Sequence, residues 1–415
     1  MTPEIKQRIE QIRRGEVPEG YKRIGSNITP QTWKELSFEQ VAVIRSGLVS
    51  PKTEPYSSML YIGPENIEKD TGKIEKVRSA TELGLISGKF YFDSFSIVYS
   101  KVRPNLNKVC APDFEGICSA DCYSIKTRDN VDTNYLFALM LSHQFYKRAV
   151  ACSMRTGMPK INQDDLNAIC LVFPDNLEEQ QKIAAILTTQ DKVIELKEKR
   201  LAEKQRQKKY LMQQLLTGRK RLPGFSGEWT FPKAKEIFQS VSDKDHNGDL
   251  AVLSSTQDRG IVPRNEVDID IKYDACSLVN YKKVTKGNFV ISLRSFQGGI
   301  EYSTYTGLVS PAYTVLASRQ EISAEYYKQF FKSVDYINRL NVAVYGIRDG
   351  KQISYGDFGR LRIPYPPIKE QIAIAEVLTA ADREIDLLLQ EIEQEKQKKK
   401  ALMQLLLTGI VRVNV

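Results

Sequence analysis

Two short loops repeat one order of cation, glycine and cation. In "CSMRTGMPKINQDDL" they are Arg155, Gly157 and Lys160 ahead of Ile161; in "VYGIRDGKQISYGDF" they are Arg348, Gly350 and Lys351 ahead of Ile353. Glycine lets a backbone approach a ligand closely, and flanking cations suit a phosphate. Lys160 and Lys351 are therefore phosphate-clamp candidates, with plain loop solubility as the alternative. Two polar turns follow strand-like runs: Lys101, Arg103, Asn105, Asn107 and Lys108 in one, Arg294, Ser295, Phe296 and Gln297 in the other. Arg, Lys, Asn and Gln carry the donor and acceptor patterns that match guanine and adenine edges in the major groove. Two such turns on a common frame with different side chains would read two different short sequences; the bland alternative is a pair of surface turns with no ligand.

Residues for bond-making chemistry are poorly placed. His143 and His246 are the only histidines, and neither has a second ligand nearby. The cysteines (Cys110, Cys118, Cys122, Cys152, Cys170, Cys276) form no CxxC pair, which argues against a zinc ribbon or a disulfide framework and for buried or half-buried thiols. Cys118 and Cys122 lie four apart in a strand-like run, so both should face one side. Asp175 followed by Glu195-Leu196-Lys197 matches a metal-dependent nuclease on paper. Such hydrolysis needs its carboxylates convergent on one cation, whereas a helical rise of about 1.5 Å per residue carries Glu195 roughly 25 Å from Asp175. An amino-methyltransferase would need an (N/D)PP(Y/F) tetrad and a glycine-rich strand-to-helix turn. "YPP" at Tyr365–Pro367 has the wrong order, and "QGG" at Gln297–Gly299 opens no convincing helix.

The elements that must position the turns and loops come in two copies. Sliding the chain against itself by 191 places Glu179–Gly218 on Glu370–Gly409 without a gap, with 18 of 40 positions identical. The same offset places Arg103 on Arg294, Gly116 on Gly307, Ser119 on Ser310 and Tyr135 on Tyr326. Each copy is a mixed globular segment, a proline-marked edge ("VFPDNLEEQ", "IPYPPIKEQ") and a long helix ending in "LLTG". In the first helix Leu187, Ile194, Leu201, Lys208 and Leu215 recur every seven residues, with Ile183, Gln190, Lys197, Lys204 and Leu211 on the companion seam. The second helix matches with Leu378, Ile385, Ile392, Lys399 and Leu406, beside Ile374, Ala381, Leu388, Glu395 and Leu402. These are coiled-coil seams with polar middles, on rods roughly 60 Å long. Identical seams favour pairing with each other, antiparallel if a two-fold axis relates the copies; two core helices of unrelated domains are the alternative. Gly218 and Gly409 stand where a C-cap glycine is expected.

The globular segments read as strands "FSIVYSKVR" and "GICSADCYSIK", then one helix "TNYLFALMLSHQFYKRAVA" capped near Asp132 or Thr133. The second copy repeats this with "GNFVISLRSFQGG", "GLVSPAYTVLA" and a helix capped at Ser323. Residues 197–221 hold ten Lys/Arg against Glu198 and Glu203, so +8 of the chain's +9 sits there. A basic excess favours a polyanion, although a charged helix face is often merely solvated. No apolar run approaches the roughly 20 residues of a membrane span, and the charged N-terminus has no signal-peptide core, so a cytoplasmic protein is expected.

The repeated "EEQQKIAAIL…LMQQLLTG" and "KEQIAIAEVL…LMQLLLTG", the turns "YSKVRPNLNKV" and "VISLRSFQGGI", and the two proline edges resemble the specificity subunits of Type I restriction-modification systems along essentially the whole chain. The resemblance implies an α+β fold: two tandem mixed α/β target recognition domains separated by two long antiparallel coiled-coil helices, duplicated about a pseudo-two-fold. Residues 1–175 would be the first recognition domain, with a short helix over 3–14 beside the C-terminal helix; 176–217 the first spacer helix; 218–366 the second domain; and 367–415 the second spacer helix. It implies a subunit with no catalytic or metal site and no cofactor of its own. Double-stranded DNA, two methyltransferase subunits and restriction/translocase subunits would be its partners, with S-adenosylmethionine, ATP and magnesium held by those subunits.

Overall fold

The structure is a computed structural model that describes residues 3–25, 27–153, 159–267, 275–293, 295, 299–343 and 353–414. The chain divides into two compact units, Met1–Lys197 with Glu391–Val415, and Glu198–Gln390. No helix among the described residues is long and apolar enough to cross a membrane.

The heptad seams form two helices of equal length, Leu177–Leu215 and Ile368–Leu406, each of 39 residues. Every seam position is buried or half-buried: Ile183, Leu187, Ile194, Leu215, Ile374, Leu378, Leu388, Ile392 and Leu406 fully, and Leu201, Leu211, Ile385 and Leu402 in part. Within the first unit the rods run antiparallel. Asp191 pairs with Lys399 at 2.6 Å, Gln190 donates to the Glu395 carboxylate at 2.8 Å, and Lys197 pairs with Glu391 at 3.0 Å. Within the second unit Lys204 pairs with Glu384 at 2.8 Å and Lys208 with Asp382, in the same antiparallel sense. Adding 191 turns Asp191–Lys399 into Asp382–Lys208, so the duplication preserved one ion pair with its partners' roles exchanged. Polar groups in an otherwise apolar seam fix register, because a slipped helix would leave them unpaired.

These pairs change the meaning of the basic strip. Lys197, Arg200, Lys204, Lys208 and Arg221, half of its ten cations, face carboxylates. The hydrogen bond to Glu391 raises the Lys197 pKa, and that from Gln190, then the Lys197 contact, holds the Glu395 carboxyl low. Half of the strip is thus answered by carboxylates far away in sequence.

In the first unit a four-stranded sheet carries Ala42–Ile44, Cys122–Thr127, Ser96–Ser100 and Val109–Cys110, and a five-stranded sheet includes Gly116–Cys118. In the second, Phe238–Val241, Thr314–Ser318, Phe289–Ile291 and Glu301–Tyr302 form the corresponding four-stranded sheet. Each main core joins sheet, helices and rod ends: Trp33, Tyr99, Tyr135, Leu187 and Leu406 in one, Leu215, Phe289, Tyr326, Phe331 and Leu378 in the other. Gly116 and Gly307 are identical for a steric reason, since a Cβ would lie 2.5 Å from the Leu60 carbonyl oxygen in one and from that of Ala251 in the other.

Three expectations need correction. The helix expected after Asp132 is two helices, Thr133–Leu141 and His143–Ser153, and its counterpart is Ala324–Phe331 and Val334–Ala343. The breaks fall at the duplicated Ser142 and Ser333, whose hydroxyls accept from Phe145 N and Tyr336 N and start the second helix. "GICSADCYSIK" is two strands of different sheets, because the chain turns at Ser119, whose carbonyl accepts from Cys122 N at 2.9 Å. Cys118 and Cys122 nevertheless meet in one small core with Cys110, where burial pushes the Cys118 thiol up to about 12. Cys170 is exposed rather than buried, as the outward first residue of the strand Cys170–Phe173.

Candidate nucleic-acid interface

In the first unit the polar turn follows the strand Ser96–Ser100, and a short 3-10 segment, Pro104–Leu106, carries it back to Val109–Cys110. The phosphate-clamp loop folds against it. Arg103 N donates to Pro159 O at 2.8 Å, Ile161 N donates to Lys101 O at 3.0 Å, and Val102 bridges Lys160. Two features some 55 residues apart in sequence thus form one surface, with Arg103, Asn105 and Lys160 exposed and Lys101 half-buried. The Lys101 ammonium lies over the Tyr123 ring at 5.2 Å, and its pKa is lowered by burial and then by the nearby Lys160 charge. The nearby Asp121 charge pulls it back up. Arg103 adopts a left-handed conformation (φ 50°), uncommon for a residue with a Cβ. Its backbone is held there by hydrogen bonds to Pro159 O and from Leu106 N.

Other expected contacts have different duties. Asn107 is 5% exposed, and its Nδ2 donates to Leu141 O at 3.3 Å, so as placed it holds the turn and is closed to a base. Lys108 is half-buried with its ammonium on Pro64 O at 2.5 Å. Ser295, 1% exposed, accepts from Ser292 N at 2.8 Å and closes a tight turn from inside. These two buried side chains are corrected from readers to supports. Arg155, Arg294, Gln297, Arg348 and Lys351 lie outside the described residues. The paper nuclease comes apart, because Asp175 pairs with Lys34 at 2.8 Å while Lys197 belongs to the rod pairing.

The sequence reading missed the work done at the duplicated Glu-Gln. Glu179, 2% exposed, takes Arg412, and Glu370, wholly buried, takes Arg221 through two bonds of 2.6 Å. Gln180 and Gln371 accept from Asp132 N and Ser323 N, the caps of the helices that pack on each sheet, and donate to Pro174 O and Pro366 O. Each rod start is thereby locked to its globular segment through residues whose identity in both copies was the available signal. Around Val43 and the opposite Lys126, Arg45, Arg128 and Asp129 line a shallow surface, with Arg45 already paired to Asp93. In the first unit the N-terminal helix, Pro3–Arg13, reaches the C-terminal segment: Arg8 donates to Ile410 O and Tyr21 to Gly409 O.

This duplicated frame, with a long helix after each mixed domain, matches one family model twice, the Type I restriction modification DNA specificity domain, over residues 30–206 and 226–397. The chain belongs to that family. It is 38% identical over 181 residues to the Type I restriction enzyme EcoDI specificity subunit of Escherichia coli, a match covering 44% of this chain and 38% of that protein. It is 24% identical to the putative MjaX specificity subunit of Methanocaldococcus jannaschii across 95% of this chain and 97% of the relative. The crystal structure of the HsdS subunit from Thermoanaerobacter tengcongensis shares the fold, with a TM-score of 0.51, 20% identity, and 93% and 99% of the two chains covered. The α+β architecture with tandem domains and long antiparallel helices is therefore that of the family.

Proposed function

We propose that this chain is the non-catalytic subunit that gives a Type I restriction-modification complex its DNA sequence preference, each mixed domain reading one half of a bipartite duplex site. The observation that carries this is one surface of the first unit, where Arg103, Asn105 and Lys101 from one segment meet Lys160 from another. Arg103 and Asn105 have the chemistry for base edges, and Lys101 with Lys160 the chemistry for a phosphate. By the duplication, Arg294, Gln297, Arg348 and Lys351 are assigned the matching role in the second domain. The rods set the distance between the half-sites and dock two methyltransferase subunits. Those subunits supply S-adenosylmethionine chemistry, the restriction subunits supply ATP- and magnesium-dependent steps, and the assembly works in the cytoplasm. The recognition domains lie within 1–175 and 218–366, and the spacers within 176–217 and 367–415.

Co-expression with the methyltransferase subunit and mapping of methylated adenines tests this. Exchanging residues 230–350 for the equivalent segment of another family member should change one half of the methylated site and leave the other intact. A change in both halves, or methylation independent of this chain, refutes the modular reading.

A further inference from the structure

In the first unit the helix His143–Ser153 packs on Pro104–Leu106, the 3-10 segment of the polar turn. Phe145 anchors it, its ring meeting those of Tyr99 and Phe38 at 5.7 and 6.3 Å, and Tyr99 belongs to the strand that leads into the turn. The same helix packs on Gln163–Asn167, which follows Lys160 and Ile161. It therefore borders both segments of the surface described above. It carries Lys147 and Arg148 and no carboxylate. Arg148 is half-buried and forms no ion pair among the described residues, and its covered Nη1 has no hydrogen-bond partner among them.

The second copy keeps this arginine and answers it. Moved by 191 positions, Arg148 becomes Arg339 in the helix Val334–Ala343, where Asp335, one turn earlier, pairs with it at 2.8 Å. Position 335 corresponds to Gln144, so the first copy lacks the counter-charge at the place from which the second supplies it. Two cations without an acid stand against one cation with one acid, and the helix is +2 in one copy and neutral in the other. A half-buried guanidinium with no counter-charge destabilises the free protein, and an anion would relieve it. With nothing holding Nη1 inside, the long side chain can carry its charge to the surface. We propose that Arg148 is a backbone-phosphate contact of the first half-site, and that Asp335 withdraws the equivalent Arg339 from that role in the second domain. This rests on the DNA-reading function proposed above. A phosphate contact positions a domain without reading sequence, so two domains on one frame would hold the duplex unequally.

The complex with the methyltransferase subunit is titrated with duplexes, matched or altered in either half-site, over a range of salt concentrations, alongside thermal melting. Arg148→Gln should weaken binding about tenfold for every duplex and reduce the slope of log affinity against log salt by about one, with discrimination at both half-sites kept. Arg339→Gln should leave the slope as it is. Gln144→Asp is the decisive variant, because it copies the second unit's pair and keeps the arginine. A carboxylate in the first turn of a helix, four residues before an arginine, favours the helix, so this variant should melt no lower than wild type while losing the same amount of slope. Combined with Arg148→Gln it should lose nothing further. An unchanged slope in either first-unit variant, an equal loss in Arg339→Gln, additive losses in the double variant, or failure of Arg148→Gln to assemble with the methyltransferase subunit overturns the inference. A wild-type complex that binds matched and unmatched duplexes alike overturns the underlying function as well.

Discussion

Replacing Arg221 by methionine strands the Glu370 carboxylate, whose side chain is wholly buried and takes two hydrogen bonds of 2.6 Å from the guanidinium. One donor would remain, Trp229 Nε1 at 2.9 Å. Breaking a buried pair from one side costs about 3–5 kcal/mol, and the guanidinium lying over the Trp229 ring at 5.4 Å adds about 0.5–1 kcal/mol. With a guanidinium slope of roughly 4 kcal/mol per molar, the midpoint should fall by about 1 M. The chain has two tryptophans, Trp33 in the first unit and Trp229 in the second, so Trp229 fluorescence in a Trp33→Phe background follows the second unit. The double variant Arg221→Met/Glu370→Met removes both charges and should regain most of the loss. A midpoint shift below about 0.2 M for the single variant, or a double variant as weak as the single, would refute the argument that the pair holds the rod start by charge compensation.

Lys89 is 6% exposed, and its ammonium rests on Ser87 O at 2.9 Å and Ser87 Oγ at 2.6 Å with no carboxylate paired to it among the described residues. Burial lowers its pKa, so stability present above its unfolded value is lost as pH falls through the folded one. Lys89→Met should therefore stabilise the fold at pH 7 by about 1 kcal/mol, seen as a higher melting midpoint, and flatten the alkaline part of the stability profile; an unchanged profile would count against it. Gly307→Ala should cost about 1–3 kcal/mol in a thermal melt, because the Ala251 carbonyl 2.5 Å from the new Cβ belongs to backbone; a neutral result would refute the packing account. Inserting seven residues within 197–209, with a matched insertion in the second rod, keeps the seams and lengthens the rods by roughly 10 Å. The spacer between half-sites should then grow by about three base pairs, and an unchanged spacer in methylation mapping would sink the ruler role.

Much of this was legible in the residues. Heptad spacing marked which side of each helix is inward, and the side chains at Leu187, Ile194, Leu378 and Ile392 are buried as that spacing requires. Asp132 and Ser323 cap helices where a short polar side chain precedes an apolar run, accepting from Tyr135 N and Tyr326 N. Half of the basic strip faces carboxylates that the strip itself does not reveal, because Glu384, Asp382 and Glu370 lie more than 140 positions later. Asn107 and Asn105 look alike in sequence, two apart in one polar turn, yet one is buried and the other exposed.

By itself the sequence determined the duplication, the inward seams of the two rods and where along the chain the polar turns fall, since periodicity and internal repetition are local or self-referential properties. Only the tertiary structure decided which of the turn side chains face outward. It also decided that Lys160 joins Lys101, and that Asn107 spends its amide on the Leu141 carbonyl. Exposure and charge compensation depend on what the rest of the chain brings alongside, and packing, unlike spacing, is not written at the residue it affects.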